Sequence, residues 1–263
     1  MKDIEELKKI AVLIDADNAQ LSKMKSVLDE ISTYGRITVK NAYGDWKKPI
    51  LKNWEDEMKR LAIKPVQQFA YTIGKNATDI AMVIDAMDLL ATKIYDAFVL
   101  ISSDSDFTPL AIRLRESGAY IIGVGEEKTP PSFRSACDEF ILIEYIASVS
   151  SNATVISSDK VADVANVAEP EKSKSKITDS SRQINIDDVH ELLKIAYEKY
   201  QDGAGFVNIS AAGAYMKRAK PDFNPLVYGF AKLPDLLKGF PQKYEIKRTK
   251  GKGTVTIIAY RCL

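Results

Sequence analysis

Short apolar runs alternate with amphipathic segments through the first 147 residues of the chain. The clearest runs, at 10–15 and 98–101, have no polar interruption until acidic or small polar residues end them. Continuous apolar runs of this length are typical of strands covered on both faces. We predict strands at 10–15, 36–43, 64–71, 97–103, 119–125 and 140–143, with helices at 19–34, 47–62, 79–95, 107–117 and 130–138. This alternation predicts a three-layer α/β/α parallel sheet.

The pattern changes beyond the last predicted strand. Residues 148–183 mix Ser, Ala, Val, Asp, Lys and Glu without a period, which predicts a flexible charged linker. Three helical segments and two β-like segments follow, at 187–200, 208–221, 224–237, 244–248 and 254–260. Three helices before a hairpin predict a small winged helix with an α+β fold. The expected organisation is an α/β domain at 1–147, the linker, and a second domain at 184–263.

Two residues of the second domain carry specific expectations. Pro234 lies inside the third helical segment, where a proline predicts a kink. His190 is the only histidine of the chain, and we expect it on the solvated surface of the helix at 187–200. A single histidine excludes a paired-histidine acid/base site and a histidine-rich zinc site. Any hydrolysis must therefore depend on carboxylates and a metal ion.

Composition is that of an ordinary globular protein, with 263 residues of which 46% are hydrophobic and 28% charged. No apolar run approaches the length of a membrane helix, and residues 1–6 do not resemble a secretory signal. Cys137 and Cys262 are far apart and have no metal-ligand spacing. We therefore expect a cytoplasmic protein with reduced thiols and no membrane partner.

The formal net charge of +1 conceals an asymmetry between the two predicted domains. Residues 1–180 carry 23 basic and 28 acidic side chains, whereas residues 181–263 carry 14 and 8. A basic second domain favours a polyanion partner, and an ordinary solvated face is the alternative. The basic residues expected to face phosphates are Lys217, Arg218, Lys220, Lys232, Lys243, Lys247, Arg248, Lys250 and Lys252.

Carboxylates follow several of the predicted strands at the point where each ends. Asp15 ends the first strand, Asp104 and Asp106 follow the fourth, and Asp79 opens the helix between the third and fourth. Carboxyl ends of parallel strands share one edge of a sheet, so these side chains are expected to converge there. Asn18, three residues beyond Asp15, adds either a neutral oxygen or a hydrogen-bond donor at this edge. Oxygen ligands without histidine predict an Mg²⁺ or Mn²⁺ site, and helix capping is the alternative for each acid taken alone.

Three further acids have simpler interpretations. Asp17 is expected to be a solvated turn residue. Asp85 and Asp88 are expected on the solvated face of the helix at 79–95, with Asp85 the better functional candidate of the two.

Three motifs then resemble a known family. Leu-Ile-Asp-Ala-Asp-Asn at 13–18, Thr-Asp-Ile-Ala at 78–81 and Ser-Ser-Asp-Ser-Asp-Phe at 102–107 are similar to the signatures of the NYN domain, in the LabA-like branch of the PIN-like ribonuclease superfamily. The resemblance covers residues 8–147 and implies a PIN-like fold and divalent-metal-dependent RNA cleavage. It places Asp15, Asn18, Asp79, Asp104 and Asp106 at the family's acidic site. Ser103 stands where the family usually has glycine.

A second resemblance covers residues 184–260. The stretches at 205–210 and 228–237 are similar to the LOTUS domain, also called OST-HTH, which resembles a winged helix. The resemblance implies an RNA-binding module, and a protein partner for this domain is left open, as is the oligomeric state.

The functional hypotheses follow from these observations. The first is a metal-dependent ribonuclease with a tethered RNA-binding domain. The second is an RNA-binding or adaptor protein whose NYN-like domain holds metal without cleaving. A haloacid-dehalogenase-type phosphatase with Asp15 as nucleophile is disfavoured, because Ala19 stands where that family has Thr or Val. A metal-ion adhesion motif fails because Asp17 and Ala19 replace its two serines.

Overall fold

A six-stranded parallel sheet forms the larger part of the molecule. The structure is a computed structural model that describes residues 9–69, 76–146, 186–250 and 256–263. The strands are β1 (Lys9–Asp15), β2 (Arg36–Gly44), β3 (Lys64–Gln67), β4 (Ala97–Ile101), β5 (Tyr120–Gly125) and β6 (Glu139–Leu142). Their order is β3-β2-β1-β4-β5-β6, and every neighbouring pair is parallel. The predicted parallel sheet is confirmed.

Helices cover both faces of this sheet. They are α1 (Met24–Ile31), α2 (Trp54–Leu61), α3 (Ala77–Ala91), α4 (Thr108–Glu116) and α5 (Pro131–Ala136). Successive residues of β1 point to opposite faces, so Val12 packs with Met24 and Trp54 on one side, while Leu13 packs with Met82 on the other. Both faces of β1 are therefore buried, which explains its unbroken apolar sequence.

The order of the strands reverses between β1 and β4. The chain runs outward from β1 through β2 to β3, then returns to β4 beside β1 and continues outward in the other direction. Loops that leave the carboxyl ends of such a strand pair diverge and leave a crevice, which is where open α/β sheets bind ligands. Asp15 and the residues after Ile101 lie at this crevice.

Several predicted elements are shorter than the patterns indicated. The segments at 19–34 and 47–62 each begin with a 3-10 turn, Leu21–Lys23 and Pro49–Leu51, and become α-helical only at Met24 and Trp54. The strand predicted at 64–71 ends at Gln67, and its last two residues lie outside the described range, as does the whole of the predicted linker.

A small α+β domain, called the C-terminal domain below, follows at 186–263. It consists of α6 (Asp187–Tyr200), β7 (Val207–Asn208), α7 (Ile209–Ala219), α8 (Leu233–Gly239), β8 (Tyr244–Lys250) and β9 (Thr256–Cys262). The antiparallel sheet has the order β7-β9-β8. Its core includes Leu193, Leu236 and Tyr260. The two predicted helices and the hairpin are present, and β7 is an additional strand too short to produce an alternating pattern.

The prediction of one continuous helix at 224–237 is wrong, because this segment forms two separate elements. A 3-10 turn, Pro225–Tyr228, ends at Gly229 with φ of 82°, and α8 begins only at Leu233. A glycine with positive φ ends the turn because other residues rarely adopt that conformation. Pro234 therefore lies in the first turn of α8, where its missing N–H is not needed, and the predicted kink is wrong.

The prediction of a solvated His190 is also wrong. His190 is only 9% exposed, its Nδ1 lies 2.7 Å from the Tyr244 hydroxyl, and its ring meets the Phe240 ring edge to face. It lies beside the buried stripe of α6 formed by Val189 and Leu193. Burial lowers the pKa of His190, so the neutral imidazole is favoured in the core.

The C-terminal domain packs against β6 and α5. The Phe140 N–H donates to the carbonyl of Pro221 at 2.9 Å, and Lys217 pairs with Glu139 across the same interface. Arg134 pairs with Asp222 at 3.2 Å. Among the helices of the described ranges, none has the length and apolarity required to cross a membrane.

Candidate metal centre and nucleic-acid interface

Asp15 is the central carboxylate at the crevice. It is the last residue of β1 and is 2% exposed. Its Oδ2 accepts hydrogen bonds from Ser102 Oγ at 2.7 Å and Asn18 Nδ2 at 2.8 Å. Its Oδ1 is also buried and has no hydrogen-bond partner within the described residues. Burial raises the pKa of Asp15, although the bonds from Ser102 and Asn18 act in the opposite direction.

Asp104 is connected to Asp15 through Ser102. The hydroxyl of Ser102, itself 2% exposed, donates to Asp15 and accepts from the Asp104 N–H at 3.1 Å. Asp104 Oδ1 in turn accepts from the Asp106 N–H at 2.9 Å, as the N-cap of the 3-10 turn Ser105–Phe107. Helix capping, the alternative to metal binding, is thus a role that Asp104 does have. It occupies only Oδ1 of the Asp104 carboxylate.

Asp79 lies in the first turn of α3 and faces the same crevice. Burial raises the pKa of Asp79 to about 6, and repulsion from Asp15, Asp104, Asp17 and Asp106 contributes in that order. Proximity to this many carboxylates disfavours the charged form of Asp79. The acids predicted to converge are thus close enough to repel one another.

Asp106 and Asn18 are the outer members of the group. Asp106 is exposed, and its Oδ2 accepts from Asn76 Nδ2 at 3.3 Å. Asn18 is also exposed and is held by its bond to Asp15. Both side chains are therefore at the solvent side of the crevice, whereas Asp15 is at its base.

Asp17 differs from the expected solvated turn residue. Its side chain is only 20% exposed, its Oδ1 pairs with Lys48 at 2.8 Å, and its Oδ2 accepts from Thr78 at 3.2 Å. Asp17 and Ser102 are the two residues of this site that sequence reasoning did not place in it. The signal for Ser102 was its position directly after β4 and two residues before Asp104.

The two acids in the middle of α3 lie outside this network. Asp85 Oδ2 accepts from the buried Tyr43 hydroxyl at 2.9 Å, which gives it a structural partner. Asp88 is exposed, as predicted.

The donor set at the crevice fits a hard divalent cation. Carboxylate oxygens dominate it, and Asp15 Oδ1 is a buried oxygen without a donor among the described residues. Burial, and after it repulsion from the neighbouring carboxylates, raises the pKa of Asp79. Mg²⁺ and Mn²⁺ prefer such oxygens and retain several waters. In the described part of the chain, no three or more Asp, Glu, His or Cys residues are already arranged around one point as metal ligands.

The basic residues predicted to bind RNA divide into two groups. On α7 and just beyond it, Lys217 pairs with Glu139, Arg218 donates to the Tyr200 hydroxyl at 3.3 Å, and Lys220 donates to the Tyr228 hydroxyl at 3.1 Å. These three side chains are engaged within the protein. The second group comprises Lys232, Lys243, Lys247 and Arg248, which are exposed, together with Lys250 at the end of β8; Lys252 lies outside the described residues.

An aromatic side chain accompanies the second basic group. The Phe206 ring has Lys247 Nζ at 5.2 Å and the Arg261 guanidinium at 5.2 Å from its centre. All three residues lie on the outer face of the small sheet, away from Tyr260 and the core.

Fold and site together define a PIN-like α/β/α protein with an acidic crevice. Residues 9–144, more than half of the chain, match the NYN domain family, and residues 184–256 match the OST-HTH/LOTUS domain. The chain belongs to the NYN domain family, and an OST-HTH/LOTUS domain follows the NYN domain. Both resemblances drawn from the sequence motifs are confirmed, in the predicted order.

Three relatives illustrate the range of similarity. An uncharacterized protein of Methanocaldococcus jannaschii, MJ0482, is 27% identical over 132 residues, which are 49% of this chain and 50% of that protein. The chain thus matches about half the length of this curated relative. The crystal structure of VPA0982 from Vibrio parahaemolyticus, a protein of unknown function, has 16% identity and a TM-score of 0.44 over 54% of this chain and 96% of that one. The NMR structure of the uncharacterized NE0665 product from Nitrosomonas europaea has 21% identity and a TM-score of 0.26 over 41% and 92% of the two chains.

Proposed function

We propose that this protein is a divalent-metal-dependent ribonuclease that hydrolyses RNA phosphodiester bonds at the acidic crevice. One observation carries the proposal: Asp79 and its neighbouring carboxylates repel one another at the strand-order reversal, beside a buried oxygen of Asp15 that has no partner within the described residues. A cation removes both unfavourable features. The NYN domain belongs to the PIN-like nuclease superfamily, which supports a hydrolase.

In this proposal Asp15, Asp79 and Asp104 hold Mg²⁺ or Mn²⁺, and Asp106 is a further ligand or orients the attacking water. Asn18 positions Asp15 and a phosphate oxygen from the solvent side. A bound divalent ion supplies Lewis-acid stabilisation of the phosphodiester and an acidified water. The protein's own contribution is orientation, because Ser102 and Asn18 fix Asp15 through its Oδ2 and leave Oδ1 available.

The OST-HTH/LOTUS domain supports RNA as the substrate. The exposed residues of its second basic group, Lys232, Lys243, Lys247 and Arg248, give it cations that a polyanion contacts. Phe206 provides an aromatic ring beside Lys247, a combination that suits unpaired bases.

The experiment is cleavage of a panel of single-stranded RNA, duplex RNA and DNA by the purified full chain with Mg²⁺ or Mn²⁺. We expect metal-dependent cleavage of RNA and a loss of at least about 100-fold in Asp104→Asn, since a lost ligand exceeds the 10–100-fold effect of an outer-shell change. Asp88→Asn, an exposed acid on α3, is the matched control and should cleave like the wild type. Cleavage by Asp104→Asn at the wild-type rate would exclude this function.

The second candidate is an RNA-binding or adaptor protein with a metal-holding, non-cleaving NYN domain. It is favoured by the OST-HTH/LOTUS domain at 184–256, which can bind RNA without any turnover at the crevice. This candidate predicts RNA binding by the wild type with no cleavage in either metal. The same panel therefore distinguishes the two functions.

A further inference from the structure

A cavity of about 540 Å³ opens beside the acidic crevice, between α2 and the loop that leaves β2. Its size lies within the range of roughly 300–1,000 Å³ that small-molecule sites occupy. The lining includes Trp46, Lys47, Lys48, Lys52, Met58 and Pro65. An aromatic ring, apolar side chains and three cations therefore surround one space.

Lys48 connects the cavity to the carboxylates. Its ammonium lines the cavity and pairs with Asp17 Oδ1 at 2.8 Å. Asp17 in turn stands two residues after Asp15, and its Oδ2 accepts from the hydroxyl of Thr78, the residue before Asp79, at 3.2 Å. A ligand in the cavity is therefore adjacent to the proposed site of hydrolysis.

Trp46 is held in a fixed orientation. Its backbone N–H donates to Gln67 Oε1 at 3.0 Å, and its indole Nε1–H donates to the Val66 carbonyl at 3.1 Å. Its ring also packs against Trp54, with 6.1 Å between ring centres. An aromatic wall fixed before binding loses little conformational entropy when a base stacks on it.

The charge of the cavity is suited to an anion. Glu55 also lines the space, but its carboxylate pairs with Lys59 at 2.6 Å, whereas Lys47 and Lys52 are exposed. Lys47 Nζ also lies 4.7 Å from the ring centre of Phe69, which is 52% exposed. These cations offset the repulsion that the neighbouring carboxylates exert on a phosphate.

We propose that this cavity binds one unpaired nucleotide of the RNA strand, next to the phosphate that is cleaved. The base stacks against Trp46, and its phosphate contacts Lys47 and Lys52. Only an unpaired base can enter such a cavity, because a duplex keeps its bases stacked inside the helix. The inference rests on the proposed ribonuclease function. It adds that the substrate is single-stranded at this point and that the RNA strand passes from the cavity to the acidic crevice.

The test measures binding apart from cleavage, with the full chain carrying Asp104→Asn. A fluorescent single-stranded oligoribonucleotide is titrated by anisotropy at several salt concentrations, with duplex RNA of the same sequence in parallel. In this background we expect Lys47→Gln/Lys52→Gln to weaken single-strand binding at least about fivefold. The salt slope should fall by about 1.4, or 0.7 for each lost phosphate contact. Lys9→Gln/Lys25→Gln, two exposed lysines away from the cavity, is the matched control and should bind like its parent.

Trp46 is tested in the same background. Trp46→Ala should weaken single-strand binding about tenfold, within the range for loss of one stacked base. Trp46→Phe keeps a ring, so it should retain most of the affinity while losing the RNA-induced quenching of tryptophan fluorescence. Trp46→Phe keeps the proposal testable if Trp46→Ala fails to fold, since a large loss of affinity in Trp46→Ala with little loss in Trp46→Phe is the expected pattern.

The outcomes separate the cavity from the catalytic function. Four outcomes would overturn the cavity proposal. The first two are unchanged binding in Lys47→Gln/Lys52→Gln and an equal loss of binding in Lys9→Gln/Lys25→Gln. The other two are equal affinity for duplex and single-stranded RNA and no binding of RNA at all. If the wild type does not cleave but the expected losses in binding occur, the ribonuclease function is wrong and the cavity is an RNA subsite of a binding protein. If the wild type cleaves and the cavity variants behave as their parents, the function stands and the cavity assignment is wrong.

Discussion

A single hydroxyl organises two of the proposed metal ligands. Ser102 donates to Asp15 Oδ2 at 2.7 Å and accepts from the Asp104 N–H at 3.1 Å. In the proposed metal site it thus determines which oxygen of Asp15 remains for a cation, and it fixes the turn of the chain after β4. Ser102 and Asp15 are both buried, so solvent cannot replace the Ser102 hydroxyl without rearrangement.

We therefore expect Ser102→Ala to weaken divalent-metal binding by about 10–100-fold, the usual effect of losing an outer-shell partner. Calorimetric titration of the purified chain with Mn²⁺ measures it. Ser117→Ala removes a hydroxyl at the end of α4, which donates only to the Arg113 carbonyl, and should leave the affinity unchanged. An unaltered Mn²⁺ affinity in Ser102→Ala would mean that Asp15 does not bind the ion.

Asp79 destabilises the metal-free protein. Its pKa is raised from 3.8 to about 6, chiefly by burial and then by the neighbouring carboxylates. An acid whose pKa is higher in the folded state binds more protons there, so stability decreases as the pH rises from about 4 to 6 and stays reduced above that range. After allowance for solvent screening, the penalty at pH 7 is about 1 kcal/mol.

Asp79→Asn should consequently raise the Tm of the metal-free chain at pH 7 by about 2–4 °C. The gain should disappear at pH 4, where Asp79 is protonated in the folded wild type. Saturating Mg²⁺ should reverse the order, because only the wild type gains the full binding free energy. Differential scanning calorimetry in EDTA and in Mg²⁺ provides the comparison, and a lower Tm for the metal-free variant at pH 7 would contradict the argument.

At the scale of elements, the sequence predicts best those strands and helices whose pattern is unbroken and depends only on neighbouring residues. β1 and β4 are predictable because both faces of each strand are buried. Residues such as Ile10, Val12 and Phe98 therefore form unbroken apolar runs, which identify the two strands in the sequence. The convergence of Asp15, Asp79 and Asp104 follows from the parallel topology alone. Boundaries are less predictable, since 3-10 turns precede α1 and α2 and carry the same apolar spacing.

What could not be predicted depends on contacts between distant segments. His190 is buried because Tyr244, more than fifty residues away, supplies its hydrogen bond. Asp17 joins the site because Lys48, from the loop after β2, and Thr78, from the first turn of α3, both reach it. No local pattern distinguishes these residues from a surface histidine and a turn aspartate.

Gly125, the last residue of β5, packs closely against the backbone of Ser102 at the crevice. A Cβ on Gly125 would lie 2.7 Å from the Ser102 carbonyl oxygen and 2.7 Å from Thr129 Oγ1. The Ser102 carbonyl is backbone and cannot rotate away, so an added methyl group must displace the end of β4. This close approach couples the sheet to the positions of Ser102 and Asp104.

Gly125→Ala should lower stability by about 1–3 kcal/mol, the usual cost of overpacking, and weaken Mn²⁺ binding together with it. Urea denaturation and calorimetric titration give the two quantities. Gly203→Ala is the control, because a Cβ there would meet nothing within 4 Å, and it should be close to neutral. Loss of stability with unchanged metal affinity would show that the ends of β4 and β5 are not coupled to the site.

At the scale of the molecule, the C-terminal domain covers the outer edge of the large sheet. β6 is an edge strand, and its Phe140 N–H is satisfied by the Pro221 carbonyl. An uncovered edge strand invites pairing with other chains, so this contact protects β6. The same packing directs Lys217 toward the α/β domain, so under the proposed function the RNA contacts of the C-terminal domain fall to Lys232, Lys243, Lys247 and Arg248.

Glu139 is a buried carboxylate in this interface. It is 5% exposed, and its Oε1 accepts from both the Tyr34 hydroxyl and Lys217. Its Oε2 is buried and has no partner within the described residues. Removal of Lys217 would leave a buried carboxylate with one hydrogen bond, which is costly because a low-dielectric interior cannot solvate the charge.

Lys217→Ala should therefore lower the free energy of unfolding of the full chain by about 1–3 kcal/mol, less than for a fully buried pair because Lys217 is 40% exposed. Glu139→Gln removes the charge, so in that background Lys217→Ala should cost clearly less, with a coupling energy of about 0.5–3 kcal/mol between the two sites. Urea denaturation of the wild type, the two single variants and the double variant completes this double-mutant cycle. As a control, the same cycle on the exposed Lys25–Asp29 pair should give a coupling energy below about 0.5 kcal/mol. Zero coupling between Lys217 and Glu139 would mean that the two domains do not make this contact in solution, and α7 would then be available to RNA.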